Sequence, residues 1–166
     1  METLTELDQI RSRHPTVLDA DSEHEREALA RFAAFFSSFV PDRVDRMLDA
    51  TYAPDVYFND TLKVVRGSAA LKHHLRDSAA AIEDCRVTIE DNTRTAAGEY
   101  LIRWRMMIRF KQIRRGVDTW TVGVSHLRLA ADGRVVYHQD YWNAADGLYE
   151  HIPLLGSLIR LIKRRL

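Results

Sequence analysis

His138, Asp140 and Trp142 alternate along one stretch near the end of the chain. Side chains of a strand alternate faces, so these three point the same way. An imidazole and a carboxylate so placed can share a hydrogen bond that fixes the ring tautomer, as a base and its orienter do. With an indole beside them they make one polar and aromatic wall, fit for moving protons if buried. Their other reading is a polar network tying the last strand to the C-terminal segment. Asp60 is a second carboxylate of interest. It follows the apolar run Val56-Tyr57-Phe58 and precedes Thr61, where a turn carboxylate would accept backbone N–H bonds.

Two other groups look chemical and read otherwise. His73 and His74 are adjacent, so on a helix they face different ways, and the chain has no His-Glu-x-x-His pattern. No metal and no cofactor are expected. His74 reads as a core or pocket-edge imidazole, His73 as exposed. Arg103, Arg105, Arg109, Arg114 and Arg115 form a basic group. The aromatic residues of that strand face the other way, so no stacking platform for nucleic acid is interleaved with them.

The elements that must carry these residues follow from periodicity. Leu4, Leu7 and Ile10 suggest a short first helix stopped at His14-Pro15. Ser22 and Glu25 have the spacing of a capping box, ahead of an amphipathic helix reaching to about Phe39. Pro41 suits the first turn of the next helix, with Val44, Met47, Leu48 and Tyr52 as its stripe and Pro54 as its end. Asp55 to Asp60 and Leu62 to Val65 read as short strands, and Gly67-Ser68 opens another helix. Four longer strands follow at about 82–95, 99–110, 117–130 and 134–143, with a hairpin signal at Asp132-Gly133. Sequential hairpins predict an antiparallel sheet. Tyr100, Ile102, Trp104, Met106 and Ile108 share one face of their strand, and the arginines share the other.

The bulk numbers bound the function. The chain has 166 residues, 46% apolar and 29% charged, enough for one domain with a real core. Its 24 basic and 24 acidic side chains cancel, which gives no electrostatic reason to expect nucleic acid. The single Cys85 excludes an internal disulfide. The first residues are acidic and carry no apolar run, so a cytoplasmic location is the default expectation. In the tail, Leu155, Ile159, Ile162 and Leu166 form a stripe beside Arg160, Lys163, Arg164 and Arg165. Such a basic amphipathic helix can lie on an anionic membrane, cap a cavity or pack on a second subunit.

The order of elements, with two stretches in particular, resembles the NTF2-like superfamily, which includes the SnoaL-like polyketide cyclases and the ketosteroid isomerases. One stretch is Tyr52-Ala53-Pro54-Asp55-Val56-Tyr57-Phe58-Asn59-Asp60, followed by Val65-Arg66-Gly67-Ser68. The other runs from Leu127-Arg128-Leu129 through Asp132-Gly133-Arg134-Val135-Val136 to Gln139-Asp140-Tyr141-Trp142. The resemblance covers about residues 24–145. It implies an α+β cone, N-terminal helices packed on a curved antiparallel sheet, to which this chain adds a C-terminal amphipathic helix. The expected organisation is an extension over 1–22, the NTF2-like domain over 23–145 and the basic helix over 146–166.

The resemblance also implies a pocket. Asp60 matches the general-base aspartate of the ketosteroid isomerases, and burial in an apolar cone should push its pKa up. Asp140 and His138 are the further catalytic candidates. Trp142, Trp104, Tyr100, Met106, Phe58 and Ser125 are the expected ligand wall. Ser125 stands where those isomerases carry a protonated aspartate, and Phe36 lies nearest their oxyanion tyrosine. Ketosteroid isomerisation itself is therefore not expected. The implied partners are a small apolar molecule or lipid, a second copy of the chain, and a membrane surface for residues 150–166. Binding with isomerase, dehydratase or cyclase chemistry is one functional expectation. A non-catalytic lipid-binding accessory protein is the other.

Overall fold

The computed structural model describes residues 2–112 and 115–144 and, in the tail, Tyr149, Gly156, Ser157, Ile159 and Leu161. Apart from those five positions, the expected helix over 146–166 and its membrane contact lie outside the described residues. So does Arg114. Among the described residues, four helices come from the N-terminal half: α1 (Glu2–Arg13), α2 (Glu23–Phe36), α3 (Pro41–Thr51) and α4 (Ser68–Ala81). Six strands accompany them: β1 (Tyr52–Asn59), β2 (Val64–Arg66), β3 (Ile82–Arg94), β4 (Tyr100–Phe110), β5 (Thr119–Leu129) and β6 (Val135–Trp142). None of the described helices is long and apolar enough to cross a membrane.

The strands form one sheet in the order β2-β1-β6-β5-β4-β3. From β3 to β6 each pairs antiparallel with its sequence neighbour, as hairpins dictate. The β1–β6 pair is parallel, which departs from the expected all-antiparallel sheet. These two strands are distant in sequence and no hairpin joins them, so hairpin logic did not reach them. Tyr52, expected on a helical stripe, opens β1 instead. Pro54 lies inside β1, in the segment where the register with β6 shifts. A bulge tolerates its missing N–H.

Ser22 caps α2 by accepting the Glu25 N–H, so the N-terminal half of the capping box forms. The Glu25 carboxylate goes elsewhere, to the Asp21 N–H at 2.7 Å and the Tyr100 hydroxyl at 2.6 Å. The main core fills the space between helices α2 to α4 and the inner face of the sheet, with Phe32, Phe35, Leu48, Val56, Leu71 and Ile102. A second cluster lies on the outer face, where Leu7 and Ile10 of α1 cover Tyr57 and Tyr137. A buried charge network pins α1 there: Arg11 grips Glu99 through Nε and Nη2 at 2.7 and 2.9 Å.

One glycine positions the inner wall. Gly123 of β5 pairs with Trp104 on one side and Trp142 on the other. A Cβ there would stand 2.5 Å from the Trp104 ring and 2.8 Å from the Trp142 Cβ. The Trp104 ring can therefore lie across β5 only because this residue has no side chain. The Trp142 Cβ is fixed by its backbone and cannot retreat. Gly123→Ala should destabilise the fold by about 1–3 kcal/mol, as overpacking does. Urea unfolding monitored by tryptophan fluorescence would check this, and an unchanged midpoint would contradict it.

Candidate functional site

Between the inner face and the helices lies a cavity of about 310 Å³. Helix α2 and the turn after it contribute Phe32, Phe36 and Phe39; α4 contributes Leu75, Ser78 and Ala81. Strand β3 lends Ile82, Cys85, Val87 and Ile89, and β4 lends Trp104, Met106, Ile108 and Phe110. The polar side of the wall comes from β1 and the turn after it, β5 and β6, with Phe58, Asp60, Ser125, His138, Asp140 and Trp142. Eight of the nine expected site residues thus line one cavity. Tyr100 does not. It lies on the same face of β4, further along the strand, and its hydroxyl is spent on Glu25. Burial and that carboxylate push its pKa up to about 12.

His138, Asp140, Ser125 and Trp104 belong to one hydrogen-bonded chain. The Trp104 Nε1–H donates to Ser125 Oγ at 2.9 Å. An indole only donates, so Ser125 must pass its own proton on, and Asp140 Oδ1 lies 2.6 Å away. From the other side, His138 Nε2 lies 2.7 Å from the same Oδ1, and its Nδ1 lies 2.8 Å from the Tyr52 hydroxyl. Tyr52 is fully buried, and burial followed by the Asp140 charge pushes its pKa well above the ordinary phenol value. It therefore keeps its proton. The His138 ring is held between the two groups, with Nε2 directed at Asp140. Phe58 stands edge-on to His138 at 4.8 Å and Phe32 at 5.5 Å, which boxes the ring in. Ser125 and His138 thus meet on Oδ1 of Asp140. Its Oδ2 takes no hydrogen bond from the described residues, and the side chain is 16% exposed, toward the cavity.

Asp60 is held quite differently. Its Oδ1 accepts the Leu62 and Lys63 N–H groups at 2.9 and 2.8 Å, and its Oδ2 meets His74 Nε2 at 2.7 Å. The expectation that burial would raise its pKa is overturned. Burial does push it up, but the His74 bond and the two amides outweigh burial and hold it below the usual carboxylate value. The turn it braces is strained: Thr61, β-branched, has φ +76°. Asn59 Oδ1 accepts the Thr61 N–H, and the Thr61 hydroxyl donates to the Asp140 carbonyl. Trp142 Nε1 donates to the Asp60 carbonyl at 2.7 Å. The turn is thus tied to β6 at Asp140 and Trp142.

Sequence reasoning missed Tyr52 and the His74–Asp60 pair. Both bring together groups far apart in the chain, and no local pattern announces them. His74 on its helical stripe was the one available signal. Cys85 lines the cavity, and burial pushes its thiol up to about 12, so it is not a nucleophile at neutral pH. Of the outward arginines, Arg103 and Arg105 approach Glu90, and Arg109 pairs with Asp118.

A family profile described as SnoaL-like domain matches residues 32–138, more than half of the chain. Solved structures share the fold. An NTF2-like protein of unknown function from Exiguobacterium is 19% identical, with a TM-score of 0.60, over 70% of this chain and 98% of its own. A protein with a ketosteroid isomerase-like fold from Catenulispora acidiphila, in complex with trimethylamine, is 19% identical, with a TM-score of 0.62, over 74% and 89%. An LEH-like epoxide hydrolase of M. tuberculosis is 16% identical, with a TM-score of 0.58, over 88% and 96%. No curated protein sequence matches the chain.

Asp60→Asn should cost about 1–3 kcal/mol at neutral pH, since it removes a charged acceptor from two amides and His74. The folded-state pKa lies below the unfolded one, so this stabilisation is complete above an unfolded value of about 4 and is lost as pH falls through the folded value. Urea unfolding of both proteins from pH 7 downward tests it. The two stability curves should converge in acid, and curves that stay parallel would refute the assignment.

Proposed function

The chain belongs to the SnoaL-like domain family, and on that footing we propose that it binds a small, largely apolar molecule in the cavity and moves a proton on it. The observation that carries this reading is Asp140: one oxygen is locked by Ser125 and His138, the other faces an apolar cavity without a partner among the described residues. A carboxylate so held is oriented and poorly solvated, as a general base must be. His138, Tyr52, Ser125 and Trp104 act as positioning residues. Asp60, the base implied by the resemblance, has both oxygens engaged and serves the turn. Isomerisation, dehydration or cyclisation each begin with such a proton abstraction.

A generic probe tests the chemistry without the natural substrate. 5-Nitrobenzisoxazole is a flat, neutral C–H acid. A base removes its ring proton, the N–O bond breaks, and a coloured cyanophenolate is released. The protein should accelerate this reaction, and Asp140→Asn should lose about 10²–10⁴ of the acceleration. Asp60→Asn should keep the rate within about tenfold of wild type, because it does not supply the base. No rate above background, or an Asp140→Asn rate equal to wild type, would end the proposal.

We also propose that two copies pair through the outer sheet face. Helix α1 covers the part of that face around Tyr57 and Tyr137, while Trp120, Val122 and Tyr141 stay 60%, 61% and 55% exposed on β5 and β6. Val124 lies between them and pairs with Tyr141 in register. An apolar strip of this kind against a two-fold copy of itself would remove its cost in water. Sedimentation should give a dimer of the 19.2 kDa chain, and Val122→Glu should shift it to monomer. A wild-type monomer at high concentration would overturn the pairing.

A further inference from the structure

The donors and charges around the cavity narrow what can occupy it. Among the described residues, no Lys or Arg lines the wall. Lys111 is engaged outside it, by the Ala80 carbonyl. His138 reaches Asp140 on Oδ1 and leaves Oδ2 open. Asp60 is the other carboxylate on the wall, and its charge is already met by His74 and two amides.

The donors are all used. The Ser78 hydroxyl donates to the His74 carbonyl, Ser125 to Asp140, Trp104 to Ser125 and Trp142 to the Asp60 carbonyl. Among the described residues only the weakly donating thiol of Cys85 is left. Among the described residues the cavity therefore offers a ligand one unpartnered carboxylate oxygen, Asp140 Oδ2, and no strong donor. An anion would meet like charge with nothing to hydrogen-bond it. A carbonyl oxygen would go unsatisfied. A ligand that brings an N–H donor and a positive charge would complete the Asp140 carboxylate, amid the rings of Phe32, Phe36, Phe58, Trp104 and Trp142.

We infer that the cavity selects a small apolar amine in its ammonium form, its N–H donated to Asp140 Oδ2. This rests on the proposal that the cavity holds a small apolar molecule. It adds the charge and polarity of that molecule.

Three probes of one shape test it: 1-naphthylmethylamine, 1-naphthalenemethanol and 1-naphthoate, titrated calorimetrically into the purified full chain at pH 7. The amine should bind about tenfold tighter than the alcohol, and the carboxylate weakest, from one charge-assisted bond gained or one like charge opposed. In Asp140→Asn the amine should lose its advantage and fall to about the affinity of the alcohol. The wild-type ranking decides the ligand class even if that variant fails to fold. An alcohol or carboxylate binding as tightly as the amine would overturn the ammonium assignment and leave the apolar-cavity reading standing. Binding of none of the three would overturn both.

Discussion

Four neighbouring strands are stitched together on their inner face by one chain of hydrogen bonds. Tyr52 opens β1, His138 and Asp140 lie on β6, Ser125 on β5 and Trp104 on β4. That sequence is also the order of these strands across the sheet. Each side chain reaches its neighbour at 2.6–2.9 Å. The buried indole can only donate, so Ser125 turns its own proton to the carboxylate oxygen that His138 also reaches. Remove either end and a buried polar group loses its partner, which costs more than the bond itself contributed. The register of the sheet, the orientation of His138 and the aim of Asp140 are therefore one constraint. Gly123 belongs to it, because the Trp104 ring reaches Ser125 across the space a side chain would fill.

Much of this architecture was legible in the sequence. The alternation of Tyr100 through Ile108 against the arginines placed one face inward, and burial follows it along most of β4. The Asp132-Gly133 hairpin, with Gly133 at φ +77°, joins β5 to β6 as its turn residues predict, while the bulge at Arg128/Leu129 that brings Ser125 opposite Asp140 has no such signal. Local periodicity and turn chemistry carry the alternation and the hairpin. They do not carry contacts between distant segments. The parallel β1–β6 pair, the Tyr52–His138 bond and the Glu25–Tyr100 bond are all of that kind. Tyr100 shows the limit well. Its face follows from the alternation, but its depth along the strand depends on Glu25, a residue of α2.

Asp60 shows a second limit. From residue types alone it is a turn carboxylate, and by resemblance it is a base raised by burial. Both descriptions attach to the same atoms, and only the donors around it separate them. Three donors converge on Asp60, two of them backbone amides that cannot turn away. The environment of a carboxylate is decided by what its oxygens accept, and burial is only one contribution among several. Aligning an aspartate with a catalytic one does not reproduce its neighbours.

The fold buries two carboxylates on opposite faces of the same sheet and treats them in opposite ways. Glu99, 2% exposed, meets Arg11, Arg128 and His126, all within 3.2 Å. Burial pushes its pKa up, but the Arg11 and His126 bonds win and hold it low. That carboxylate is complete, and its charge fastens α1 to the sheet. Asp140 meets Ser125 and His138 on one oxygen and, among the described residues, no donor on the other. The protein has arginines enough to complete it, yet places Arg103 and Arg105 on the far face of β4, exposed near Glu90. A stable fold gains nothing from leaving a half-buried carboxylate oxygen unpartnered. Water in the cavity in front of Asp140 can supply the missing partner, and it is the water that the proposed ligand would displace.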